Sequence, residues 1–172
     1  MKLFTSNIVC IISAMLVLFF AGCVSGGYSF TGASIGEAKT IKVKHFPNRA
    51  PVVQPTLSNT FTEALKDKFI QQTNLNLVNG MADMEFEGEI TNYKITPQAY
   101  QGNETAALNR LTITVKVKFV NRTDEKQNFE TSFSEFAEYS SSKSLTAVEN
   151  ELIEEIVDKL TESIFNKAVV NW

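Results

Sequence analysis

LTITVKVKFV, the stretch from residue 111 to residue 120, predicts the clearest strand of this chain. Apolar side chains occupy the odd positions from Leu111 to Phe119, and threonines and lysines occupy the even positions between them. Successive side chains of a strand point to opposite faces of a sheet, so this strand has one apolar and one polar face. We therefore expect a sheet that buries one face and keeps the other polar.

Two more strands lie on either side of this stretch in the sequence. Residues 127–139 follow it after a turn at residues 121–126 and carry Phe129, Thr131 and Phe133 on one side, which predicts an antiparallel hairpin. Residues 84–95 precede it and also alternate, with Phe86, Gly88 and Ile90 on one side and glutamates at 85, 87 and 89 on the other. These three segments predict most of one sheet.

A fourth predicted strand, residues 41–45, begins the folded part of the chain. Ile41, Val43 and His45 are expected on its apolar side, with lysines at 42 and 44 on the polar side. Residues 47–51 then break regular structure, because two prolines remove backbone donors and fix the backbone angle.

Two amphipathic helices complete the pattern. Apolar residues recur at helical spacing from Thr56 to about Thr73. After a serine-rich linker at residues 140–144, Thr146 and Glu149 resemble a capping box at the start of a second helix. The apolar stripe of this last helix comprises Val148, Leu152, Ile156, Leu160, Ile164 and Ala168.

This element order, β-α-β-β-β-α, predicts an α+β fold. The simplest packing is a two-layer sandwich in which two helices lie on one face of a four-stranded mixed sheet. The other face would then carry interleaved lysines, glutamates and threonines. Such a face is either an ordinary solvated surface or a surface that lies inside a hydrophilic partner.

The first residues of the chain are different in character. A positive start at Lys2 precedes a run at residues 8–20 that is apolar except for Ser13, which is short for a membrane span and typical of a signal peptide. The run ends in Ala21-Gly22-Cys23, which resembles the cleavage site of bacterial lipoproteins, although Phe20 stands where leucine is usual. We expect cleavage before Cys23 and lipid on its thiol.

The expected organisation follows from this cleavage. Residues 1–22 form the signal peptide, residues 23–39 the lipidated N-terminus and tether, and residues 40–172 a single α+β domain. The other cysteine, Cys10, leaves with the signal peptide, so no disulfide within the mature chain is expected. The lipid on Cys23 would hold the protein to a membrane.

Catalytic and nucleic-acid-binding roles find little support in the composition. A net charge of −3 argues against nucleic acid as a partner. His45 is the only histidine and no phosphate-binding glycine loop is present, so we expect no enzyme activity, no metal and no cofactor. Binding is the remaining chemistry, and Arg49, Arg110, Lys116 and Lys118 are the candidate cations for a partner or for lipid phosphates.

Three segments together resemble a known family. They are FPNRAP at residues 46–51, QGNE at 101–104 followed by NRLTITVKVKF at 109–119, and IFNKAVVNW at 164–172. In order and spacing they are similar to the Bacteroidota branch of the LptE family, the lipopolysaccharide-assembly lipoproteins. The resemblance covers nearly all of the mature chain and agrees with the two-helix, four-strand sandwich of that family.

The resemblance implies a non-enzymatic outer-membrane lipoprotein. Family members lie in the lumen of the LptD β-barrel, plug it, assist its assembly and help deliver lipopolysaccharide to the cell surface. The lipidated cysteine of the family corresponds to Cys23. An alternative from a different functional class is an envelope lipoprotein that activates or tethers a periplasmic enzyme.

Overall fold

A five-stranded mixed sheet with two helices on one face forms the body of the protein. We describe it from a computed structural model in which residues 35–98 and 107–169 are placed. The strands are β1 (Thr40–Val43), β2 (Asn76–Leu77), β3 (Met84–Gln98), β4 (Leu108–Asn121) and β5 (Phe129–Ser140). The helices are α1 (Leu57–Gln72) and α2 (Leu145–Val169), with a short 3-10 helix at Glu125–Gln127.

The order of strands across the sheet is β2-β1-β3-β4-β5. β1 runs parallel to both β2 and β3, while β3, β4 and β5 form antiparallel pairs. The predicted hairpin is confirmed, with Val115 opposite Phe133. The α+β class, the mixed sheet and the two helices on one face are confirmed as well.

The expected count of four strands is wrong, because β2 adds a fifth. β2 has two residues and is held by backbone hydrogen bonds from Asn76 N to Lys39 O and from Val78 N to Ile41 O, each 2.9 Å long. A two-residue strand is too short to show an alternating pattern, so only the pairing with β1 reveals it.

The core lies between the helices and the apolar side of the sheet. The odd positions of β4 from Leu111 to Phe119 are fully buried, as the alternation predicts. Phe61, Leu65 and Phe69 of α1 fill one half of this layer. The buried stripe of α2 is Leu152, Ile153, Ile156, Val157, Leu160, Ile164, Phe165, Ala168 and Val169.

The start of α2 differs from the predicted capping box. The helix begins at Leu145, so Thr146 lies inside the first turn and does not cap it. Glu149 instead accepts a hydrogen bond from the Tyr93 hydroxyl, 2.5 Å away. Tyr93 faces the helix because the register of β3 against β4 shifts between Ile90 and Asn92, which exchanges the inward and outward positions beyond that point.

His45 does not lie on the apolar side of the sheet as predicted. It is exposed, and Phe46 is fully buried in its place. The backbone N–H of Phe46 donates to the buried Thr62 hydroxyl at 3.1 Å. The alternation that begins in β1 therefore does not continue to His45.

An extra residue in the chain after β1 accounts for this difference. Val43 of β1 lies opposite Phe86 of β3. Further along, Asn48 lies opposite Ile90. The step from 43 to 48 is thus one residue longer than the step from 86 to 90 on the partner strand. One additional residue shifts the alternation by one position, so the side chains beyond β1 exchange sides.

Candidate interaction face

The side of the sheet away from the helices is polar over most of its area. We call the outward side chains of this side the polar face. The polar side predicted from the alternation is confirmed. Each strand that buries one set of alternate side chains must present the other set on the opposite side of the sheet. Its central members are Lys44, Glu85, Glu87, Glu89, Lys116, Lys118 and Glu130.

Ion pairs connect three strands across the centre of the polar face. Glu87 on β3 accepts from Lys44 at 2.6 Å and from Lys118 on β4 at 2.8 Å. Lys44 also contacts Glu85, 2.7 Å away. Lys116 on β4 pairs with Glu130 on β5 at 2.6 Å. The charges of the face are therefore largely matched within the protein.

These contacts favour the charged form of each partner. Hydrogen bonds from Lys118 and Lys44 lower the pKa of Glu87 to about 2. Hydrogen bonds to Glu85 and Glu87 raise the pKa of Lys44 above its ordinary value. Glu87 and Lys44 therefore both stay charged at neutral pH and in moderate acid.

A shallow concavity of about 380 Å³ lies at the centre of the polar face. Its lining consists of Lys44, His45, Glu87, Gly88, Glu89, Lys116, Lys118 and Glu130. Among the described residues, every buried side-chain nitrogen and oxygen has a hydrogen-bond partner, and no group of acidic residues, histidines and cysteines could hold a metal ion. The concavity is lined by side chains of both charges.

The structure separates the four candidate cations into different environments. Lys116 and Lys118 lie together on the polar face. Arg110 lies nearer the start of β4, where its guanidinium donates to Glu138 and sits 3.9 Å from the centre of the Phe136 ring. Arg49 is exposed on the loop between β1 and α1, and its side chain has no ion pair within the described parts of the chain.

The bridging role of Glu87 is the feature that sequence reasoning missed. The alternation placed Glu87 on the polar side, but it did not say which cations lie opposite. That information is in the register, which sets Glu87 directly opposite Lys118 and places β1 on the other side of β3.

Some predicted features fall on residues that the structure does not describe. Cys23 and the signal peptide precede residue 35, and the segments at 99–106 and 170–172 include parts of two family-like motifs. Within the described ranges, no helix has both the length and the apolar character that a membrane crossing requires.

Comparisons with known proteins point to one family. The sequence profile of LptE, described as lipopolysaccharide-assembly, matches residues 38–168. No curated protein sequence matches the chain significantly.

Solved structures from several bacteria are similar to this chain. A minor lipoprotein from Acinetobacter baumannii is 16% identical, with 73% of this chain and 90% of that chain covered and a TM-score of 0.42. Lipoprotein B from Nitrosomonas europaea is 12% identical, with 74% and 80% covered and a TM-score of 0.43. A protein from Helicobacter pylori, described as a neuraminyllactose-binding hemagglutinin homolog, is 9% identical, with 76% and 83% covered and a TM-score of 0.50. At that identity the likeness concerns the fold alone.

Proposed function

The chain belongs to the LptE family of lipopolysaccharide-assembly proteins, and we propose that it plugs the LptD β-barrel of the outer membrane from inside. In that position it assists the assembly of the barrel and the delivery of lipopolysaccharide to the outer leaflet. The family is a non-enzymatic family of envelope lipoproteins, so the role is one of binding and support.

The observation that carries this proposal is the matched polar face. The helices already cover the apolar side of the sheet, so the uncovered face of the sheet is the polar one. The lumen of a large outer-membrane barrel is polar and filled with water. A face whose central lysines are already paired with glutamates can approach such a wall without leaving those lysines unpaired.

Arg49 is the candidate cation best placed to bind a lipid phosphate. Arg110, Lys116 and Lys118 are each engaged with a carboxylate, and an anionic ligand would have to displace it. Arg49 is exposed and requires no such exchange. A guanidinium binds phosphate oxygens through two parallel hydrogen bonds.

The lipid anchor is the second part of the proposal. We expect that Cys23→Ala abolishes lipid attachment, since the lipid requires the thiol of that residue. Metabolic labelling with a fatty acid measures this, with Cys10→Ala as the matched control that keeps its label. Equal labelling of the Cys23 variant would refute anchoring at this position.

Photocrosslinking in cells tests the barrel partner. The crosslinker is placed at Lys44, Glu87, Thr114 and Lys118 on the polar face and at Arg49 and Arg110. We expect capture of a large β-barrel protein from the polar-face positions and a one-to-one complex after purification in mild detergent. Unirradiated samples are the control.

One result would replace the proposal. If none of these positions captured a barrel and a soluble periplasmic enzyme copurified instead, the protein would be an activator or tether of that enzyme.

A further inference from the structure

β5 forms one edge of the sheet, and it is long. It has 12 residues, Phe129–Ser140, and contains no proline, lysine or arginine. Its pairing with β4 shows no bulge over the whole length. Natural proteins commonly protect such edges with prolines, lysines, bulges or short strands. The opposite edge is short, because β2 has only two residues.

The direction of the backbone groups of β5 follows from two contacts. The Lys159 ammonium of α2 donates to the carbonyl of Phe136, 3.1 Å away. Just beyond β5, Ser141 N donates to Ala107 O at 3.0 Å, so the odd-numbered residues point toward β4 and the carbonyl of Phe136 points away from it. In an antiparallel strand alternate residues point both backbone groups to the same side, so the even-numbered residues of β5 face the open edge.

Part of this edge is open. The carbonyl of Ser140 accepts from Lys143 N at 3.0 Å, and Phe136 is covered by Lys159. For Glu130, Ser132 and Ser134 no partner of these outward backbone groups occurs in the described ranges. The open stretch is the first half of β5, which we call the open edge.

The side chains beside the open edge indicate what would bind there. Phe129 and Phe133 are half-buried on the helix side and pack against the core from its border. β5 carries three carboxylates, Glu130, Glu135 and Glu138, and no cation. Of these, Glu130 lies on the polar face beside the open edge, where Oε1 pairs with Lys116 at 2.6 Å and the side chain stays about half exposed. A new strand would thus meet aromatic rings on one side and, on the other, a half-exposed carboxylate that could bridge Lys116 and a cation of the new strand, as Glu87 bridges Lys44 and Lys118.

We propose that the open edge binds an extended segment of another protein, which adds a sixth strand to the sheet. The segment carries apolar residues toward Phe129 and Phe133 and lysine or arginine on the side of the polar face. Main-chain hydrogen bonds supply affinity and the alternating side chains supply selectivity in this mode of binding. The proposal does not depend on the barrel partner.

A second copy of this chain is a poorer occupant. The β5 strand of a second copy carries three carboxylates and no cation, so it lacks the positive side chains that would face Glu130. Like charges directly opposite each other destabilise strand pairing.

Two synthetic peptides test the proposal with the full-length protein in detergent. One peptide alternates lysine and valine over seven residues, and the other alternates glutamate and valine. Fluorescence anisotropy measures the dissociation constant of each peptide. We expect that of the lysine peptide to be at least about tenfold lower than that of the glutamate peptide, because opposite charges on adjacent strands attract. Equal affinities would overturn the proposal.

Two variants of one residue locate the binding. Ser134→Pro removes an outward N–H that β4 does not use, whereas Ser134→Ala keeps it. We expect the proline variant to bind the lysine peptide at least about fivefold more weakly and the alanine variant to bind it normally. Circular dichroism checks that both variants are folded. Unchanged binding by a folded proline variant would overturn the proposal.

A third variant keeps the test decisive if the proline variant does not fold. Glu130→Lys reverses one charge beside the open edge at an exposed position. It is expected to reduce or reverse the preference for the lysine peptide. A preference identical to that of the unmodified protein would contradict binding at this edge.

Discussion

At the scale of single residues, Gly88 marks the closest approach within the sheet. A Cβ atom at this position would lie 2.0 Å from the backbone oxygen of Lys116 and 2.7 Å from Cε1 of Phe46. The absence of a side chain leaves room for the ring of Phe46 against β3, once the extra residue after β1 has turned Phe46 inward. A glycine in a strand often marks such an approach.

We expect Gly88→Ala to lower the free energy of unfolding by about 3 kcal/mol, since a backbone atom must move to admit the methyl group. Gly80→Ala is the matched control, because a Cβ there meets nothing within 4 Å. Urea denaturation of a soluble form that starts after Cys23 measures both. A loss below about 0.5 kcal/mol for Gly88→Ala would show that the strands separate easily at this point.

Glu87 provides a prediction on pH. Its pKa in the folded protein is lowered from 4.5 to about 2. A lowered folded pKa stabilises the protein above the unfolded value, and this stabilisation is lost as the pH falls from about 4.5 toward 2. Because the side chain is partly exposed, we expect a contribution of only about 1 kcal/mol.

The comparison with Glu87→Gln isolates this contribution. The unmodified protein should exceed the variant in free energy of unfolding at pH 7, and the difference should shrink as the pH is lowered through this range. Denaturation curves at a series of pH values measure it. A difference that stays constant with pH would mean that the ion pairs of Glu87 add nothing to stability.

At the scale of elements, α2 holds the antiparallel part of the sheet together. It packs on β4 and β5, and both Val115 of β4 and Ile156 of α2 are fully buried. The hydrogen bond from Tyr93 to Glu149 fixes the start of the helix to β3. Burial raises the pKa of Tyr93, and the bond to Glu149 raises it further, so the hydroxyl stays a neutral donor.

Truncation of either buried side chain should therefore destabilise the folded protein. We expect Val115→Ala and Ile156→Ala each to lower the free energy of unfolding by roughly 1.5 to 5 kcal/mol, because a cavity adds to the lost transfer energy. Val53→Ala is a suitable control, since Val53 is 62% exposed. Chemical denaturation gives the comparison, and losses equal to that of the control would contradict the helix–sheet packing.

At the scale of the whole molecule, the proposed barrel contact spreads over a wide surface. A plug that fills a lumen should bury more than the roughly 1,600 Å² of a standard interface. We expect Lys116→Glu to weaken the complex less than about tenfold, since one pair among many contacts is lost. The yield of barrel in mild detergent measures this. Complete loss of the complex from this single change would indicate a concentrated contact at Lys116.

Much of this architecture could be predicted from local sequence pattern. The alternation of residues 111–119 determines which side of β4 is buried, because side chains of a strand alternate whatever its neighbours are. The alternation likewise predicts the polar face, and apolar residues at helical spacing predict α1 and α2. The signal-like N-terminus and Cys23 also come from sequence alone, and they remain predictions because they lie outside the described residues.

Only the tertiary structure decides which residues meet across strands. The pairing of Glu87 with Lys44 and Lys118, the two-residue β2, the inward turn of Phe46 and the open edge of β5 all depend on strand order and register. Local pattern carries the period of a strand but not its neighbours, because pairing is selected by contacts between segments far apart in the chain. The backbone shift between Ile90 and Asn92 is such a case, since it reverses the sides of β3 and thereby brings Tyr93 to Glu149.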